Sequence, residues 1–121
     1  MRAETCRLYL ISPPVLVDGD VAAFADTLAA ALDGGPVACF QLRLKDTSDD
    51  ELRKASEILC PIVQDRDVAF IMNDRPDLAV EFGCDGVHVG KNDTPYENAR
   101  RIVGDDAIVG VTCKASRDLA F

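Results

Sequence analysis

The chain predicts an α/β fold of consecutive βα units, a (β/α)8 TIM barrel carried through its fifth strand. Three observations carry that prediction. Short apolar runs alternate with helical stripes from end to end, as parallel strands joined by helical crossovers do. The second strand, Phe40-Gln41-Leu42-Arg43-Leu44-Lys45, is apolar on one face only, whereas strands of a doubly wound sheet meet helices on both faces. Finally, residues 116–121 read as the opening of a fifth helix, and the sequence stops there. A complete doubly wound domain of the flavodoxin type also fits five units in 121 residues. The one-sided strand and the stop favour the incomplete barrel, whose full length is typically about 250 residues. Residues 1–121 read as a single partial-barrel domain.

The elements follow in order. Residues 7–11 form a short strand stopped by Pro13-Pro14. A helix over about 20–33 has Asp20 as N-cap, an apolar stripe of Val21, Phe24, Leu28 and Leu32, and Gly34-Gly35 at its end. Strand two covers about 37–43. The second helix opens with the capping box Ser48 and Glu51 and carries Leu52, Ala55, Ile58, Leu59, Ile62 and Val63 on one face. Pro61 is expected to kink or shorten its end. Strand three is 68–73, and a short helix over 76–82 is stopped by Gly83. Strand four is 86–89. A fourth helix opens at Thr94-Pro95-Tyr96-Glu97, with proline at the first helical position, and closes at Gly104. Strand five is 107–111.

Composition narrows the function. Apolar residues make up 48% and charged residues 28%, ordinary for a globular protein. A net charge of −8 argues against nucleic acid or an anionic membrane as the main partner. No window approaches the roughly 18 apolar residues of a membrane span, and residues 1–5 lack the apolar centre of a signal peptide, so a cytoplasmic location is expected. Five scattered cysteines without a C-x-x-C pair point to reduced thiols rather than a disulfide framework or a zinc site. The sequence is compatible with a homo-oligomer.

Against that acidic background one stretch stands out. Gln41, Arg43 and Lys45 share a strand face at about 6–7 Å steps. An amide and two cations beside a turn suit a phosphate or diphosphate, with Arg as a fork and Lys as a point charge; a solvated edge strand is the plainer alternative. Asp74 follows strand three and Asp93 follows strand four. Each suits helix capping, yet two carboxylates at the C-terminal ends of parallel strands also suit a magnesium ion bridging to a diphosphate. Thr112, after strand five, is either a phosphate donor or a turn residue. His88 lies on the strand-four face opposite Val87 and Val89 and reads as a hydrogen-bonded core histidine. No catalytic triad, G-x-G-x-x-G or P-loop is present.

Taken together, residues 8–14 (LYLISPP), 41–46 (QLRLKD), 70–75 (FIMNDR), 85–90 (DGVHVG) with Asp93, and 110–113 (GVTC) resemble the thiamine-phosphate synthase family in order and spacing. The resemblance implies a TIM barrel that joins a hydroxymethylpyrimidine diphosphate to a thiazole phosphate and releases diphosphate, through a pyrimidine carbocation captured by the thiazole nitrogen. By the same resemblance Gln41, Arg43, Lys45 and Asn73 hold the diphosphate, Asp74 and Asp93 hold Mg2+, and Thr112 takes a position usually held by serine. Lys91 and Lys114 stand where the family commonly has glutamine and histidine. The family's later strands, which bring a further lysine and glycine-rich loops for the thiazole phosphate, have no counterpart here, so the 121-residue chain alone is expected to be inactive. Alternatives are a related thiazole-phosphate isomerase, an inactive half-barrel remnant and, more remotely, a phosphoreceiver domain. The last would need an acidic pair after strand one, where Ser12-Pro13-Pro14 stands.

Overall fold

A computed structural model describes residues 7–16, 20–90 and 95–112. Strands and helices alternate along them: β1 (Leu8–Ile11), α1 (Val21–Asp33), β2 (Val37–Leu42), α2 (Asp49–Gln64), β3 (Ala69–Asn73), α3 (Pro76–Glu81), β4 (Gly86–Val89), α4 (Tyr96–Val103) and β5 (Ile108–Val111). The strands form one parallel sheet in the order β1-β2-β3-β4-β5. That order decides between the two architectures. A doubly wound sheet reverses its strand order at a switch point, and so does a phosphoreceiver domain. Here every crossover steps the same way, and right-handed crossovers in one direction put all helices on one face. The result is a barrel arc.

Side-chain parity shows the same division. Phe40 and Leu42 of β2, Phe70 and Met72 of β3, and Val87 and Val89 of β4 are buried in one core. They pack there with Leu28, Leu32, Leu52, Leu59, Val63, Leu78 and Ala99 from the four helices. Full burial of a side chain of this size contributes about 1.5–3 kcal/mol. Phe40 stacks at a tilt against Phe24 and Phe70, with ring centroids 6.2 and 5.7 Å apart. At the two sheet edges Leu8, Tyr9, Ile11 and Ile108 remain 46–55% exposed, as expected of an arc rather than a closed cylinder.

Local signals set the helix limits. The Asp20 carboxylate accepts the Ala23 N–H at 3.0 Å, and the Ser48 hydroxyl accepts the Glu51 N–H at 3.2 Å. Gly83 (φ 63°) and Gly104 (φ 92°) end α3 and α4 in backbone conformations that favour glycine. Two expectations need correcting. Pro61 does not shorten α2, which runs on to Gln64; the proline is exposed, and its carbonyl accepts the Asp65 N–H at 2.9 Å. Helix α4 starts at Tyr96, so Pro95 is its N-cap rather than its first helical residue. Thr94 and the fifth-helix opening at 116–121 lie outside the described residues.

Candidate active site

The strand face turned away from the helices carries the polar groups. Parallel register sets Ile11, Gln41, Ile71 and Gly86 side by side, with Asn73, His88 and Gly110 in the next row toward the strand C-termini. All of these except Gly86, with Arg43, Lys45, Asp74 and Thr112 at the rim, line a concavity of about 810 Å³. That is the size of a small-molecule site, about 300–1,000 Å³. Gln41, Arg43, Lys45, Asn73, Asp74 and Thr112 thus converge as the sequence suggested. Asp93 lies outside the described residues.

The cations reach the rim by a different route from the one expected. Strand β2 ends at Leu42, so Arg43 and Lys45 stand on the following loop. Backbone bonds to the β1 exit fix that loop. Ser12 donates its N–H to the Gln41 carbonyl at 2.9 Å, and Lys45 donates its own to the Pro14 carbonyl at 2.8 Å. The Ser12 hydroxyl, itself buried, accepts the Arg43 N–H at 2.8 Å. Ser12 is a site-building residue that the sequence reading missed.

Gln41 is only 3% exposed. Its amide nitrogen donates to the Tyr9 hydroxyl at 3.2 Å, and burial pushes the Tyr9 phenol up, keeping it protonated. The Gln41 Oε1 is buried and has no hydrogen-bond partner among the described residues. A buried acceptor in that state costs stability.

Asp74 does not cap α3. Arg75 is the N-cap, without a side-chain cap bond. Asp74 instead adopts a left-handed backbone (φ 65°), donates its N–H to the His88 carbonyl at 2.8 Å, and sets its carboxylate 3.9 Å from Lys45 Nζ. Arg75 is not in the wall of the concavity. It grips Asp49 at 2.6 and 3.1 Å and Asp77 at 3.0 and 3.2 Å. Both carboxyls are therefore held below their usual range, and the β3 exit is tied to the start of α2.

His88 corrects the core reading, because it lines the concavity and its Nε2 lies 2.7 Å from Thr112 Oγ1. Its parity, shared with Gly86 and opposite Val87, was the available signal. Among the described residues no group of three or more His, Cys, Asp or Glu side chains gathers for a metal. Among the described residues Cys39, Cys60 and Cys84 carry free thiols.

A one-way parallel barrel arc with two cations, a carboxylate and a hydroxyl around one concavity defines an α/β barrel-type protein with its polar groups at the strand C-termini, where such folds carry their sites. Comparison with known proteins places it further. The family profile described as thiamine monophosphate synthase matches residues 8–121, and the chain belongs to that family. It is 68% identical over 116 residues to the thiamine-phosphate synthase of Rhodospirillum centenum, covering 96% of this chain and 55% of that protein. It is 41% identical over 114 residues to the thiamine-phosphate synthase of Hyphomonas neptunium, covering 91% and 51%. Among solved structures it matches a thiamine phosphate pyrophosphorylase from Pyrococcus furiosus with a TM-score of 0.71 and 28% identity, over 87% of this chain and 48% of that one. The chain spans about half the length of the curated relatives it matches.

Proposed function

We propose that the protein is a thiamine-phosphate synthase, coupling hydroxymethylpyrimidine diphosphate to thiazole phosphate with release of diphosphate. The observation that carries this reading is the convergence of Gln41, Arg43, Lys45, Asn73 and Thr112 on one concavity. Ionisation of a diphosphate ester leaves negative charge on the departing group, and preorganised donors lower that barrier. Arg43 and Lys45 supply the charge, and Asn73 and Thr112 supply neutral donors.

Mg2+ is the metal this donor set suits. Asp74 offers hard oxygen ligands at the rim, beside the cations that would hold the diphosphate, and magnesium favours one or two carboxylates with phosphate oxygens and water. Asp93 is proposed as the second carboxylate. When bound, the ion would neutralise charge on the leaving diphosphate.

The thiazole phosphate would be held by the part of the relatives that this chain does not match, and the isolated 121-residue chain is proposed to be inactive. No helix among the described residues is long and apolar enough to cross a membrane, and a cytoplasmic location is proposed. The test is coupling of the two substrates by the complete protein, with and without a magnesium chelator, beside the verified 121-residue chain. Metal-dependent formation of thiamine phosphate by the complete protein alone is expected. Absence of product from the complete protein would remove the assignment, and product from the short chain would remove the claim about its inactivity.

A further inference from the structure

We propose that His88 is a positioning residue that aims the Thr112 hydroxyl at the bound diphosphate, and that Gly110 is the seat that allows it; the inference rests on the diphosphate reading above. His88 Nε2 and Thr112 Oγ1 are 2.7 Å apart, a full hydrogen bond. A hydroxyl has one hydrogen. Donated to the imidazole, that hydrogen is withdrawn from an anion. When Nε2 carries the proton and donates, Thr112 Oγ1 is the acceptor, and its hydrogen turns toward the cavity that Arg43 and Lys45 also line. Each bond in such a relay polarises the next.

The Thr112 backbone is anchored separately, its N–H donating to the Val89 carbonyl at 3.0 Å. The imidazole therefore acts on the direction of the hydroxyl rather than on the course of the chain. The ring can lie there because its partner in register on β5 is Gly110. A Cβ on Gly110 would sit 2.5 Å from His88 Nδ1 and within 3.5 Å of two ring carbons. Any other residue at 110 pushes the ring off its bond to Thr112.

The test is a double-mutant cycle on the complete protein, read as the affinity for inorganic diphosphate with Mg2+ by calorimetry. Thr112→Val, His88→Leu and Gly110→Ala are each expected to weaken binding about tenfold, the scale of one hydrogen bond to a charged group. The His88→Leu/Thr112→Val double variant is expected to bind no more weakly than Thr112→Val alone. His88→Gln, which returns an N–H donor near the position of Nε2, is expected to recover affinity, whereas a purely structural role would give no such rescue. If His88→Leu does not fold, His88→Asn, whose amide stops short of Thr112, replaces it. Losses that multiply to about a hundredfold in the double variant, wild-type affinity in His88→Leu, or no diphosphate binding by the parent protein would each overturn the proposal. Coupling by the parent protein is measured in parallel. Its absence beside an intact cycle defeats the synthase assignment alone, and its presence beside multiplying losses defeats the role of His88 alone.

Discussion

The Ser12 hydroxyl accepts the Arg43 backbone N–H at 2.8 Å, and through this bond the end of β1 sets where the first rim cation stands. A side chain here takes over where the strand ladder stops. Ser12→Ala removes the acceptor and leaves the donor without its partner. Chemical denaturation is expected to show a loss of about 1 kcal/mol, accompanied by weaker diphosphate binding. Unchanged stability together with unchanged binding would show that the loop is held without Ser12.

Arg43 and Asp74 make the sharpest test of the site itself. Arg43 is exposed and Asp74 is part-exposed, so neither contributes to the apolar core. Arg43→Ala and Asp74→Ala in the complete protein are each expected to lower coupling turnover by about 10- to 100-fold, the scale of losing a charge-assisted contact. Far-UV circular dichroism and thermal midpoints are expected to stay near those of the parent. Parent-level rates in either variant would be incompatible with the proposed clamp.

The Arg75 cluster predicts a response to acid. Hydrogen bonds from Arg75 hold the Asp49 and Asp77 carboxyls below the usual carboxylate range, and Arg66 does the same for Asp33. These folded-state values lie beneath the unfolded ones, so the stabilisation is complete above about pH 4 and fades as pH falls through the depressed values. Thermal midpoints are expected to drop from pH 4 toward pH 2, less steeply in Arg75→Ala. The difference should shrink in high salt, because the carboxylates face solvent. Equal acid slopes in parent and variant would leave the cluster without the linkage claimed for it.

Gly86 on β4 faces Ile108 on β5 with no room for a side chain. A Cβ there would lie 2.2 Å from the Ile108 carbonyl oxygen and 2.6 Å from its Cβ. Backbone, not a movable side-chain tip, blocks the space. Gly86→Ala is expected to cost about 1–3 kcal/mol as an overpacked site, with faster amide exchange along β5 than along β2. A variant as stable as the parent, with β5 protection intact, would be evidence against that close approach.

Much of this was legible in the sequence because alternation and capping are local. Asp20, Ser48, Gly83 and Gly104 act within a few residues, and each bounds the element its type suggests. The Gln41-Leu42-Arg43 parity likewise pointed to the cavity face. Strand order was legible only indirectly, through the one-sided second strand and the stop after strand five that favoured a barrel, since crossover direction is a property of the whole sheet. The stop of β2 at Leu42 was not legible, because it depends on Ser12 and Pro14 about thirty residues earlier. Asp74 suited either a helix cap or a rim carboxylate from its position alone; its left-handed backbone, which no local pattern announces, carries the carboxylate to Lys45 at the rim. His88 was read as core although its parity placed it on the cavity face; its partner, Thr112, comes from another strand end.

Core and chemistry alternate along the same few strands, Phe40 against Gln41, Met72 against Asn73, Val87 against His88. Mutational tolerance in this protein should therefore be striped rather than regional. Neighbouring positions answer to different selective pressures, one to persistence of the fold and the next to the identity of the ligand. A lineage can rewrite the cavity one alternate residue at a time without disturbing the helices behind it, whereas a single-residue slip in any strand would exchange the two roles at once.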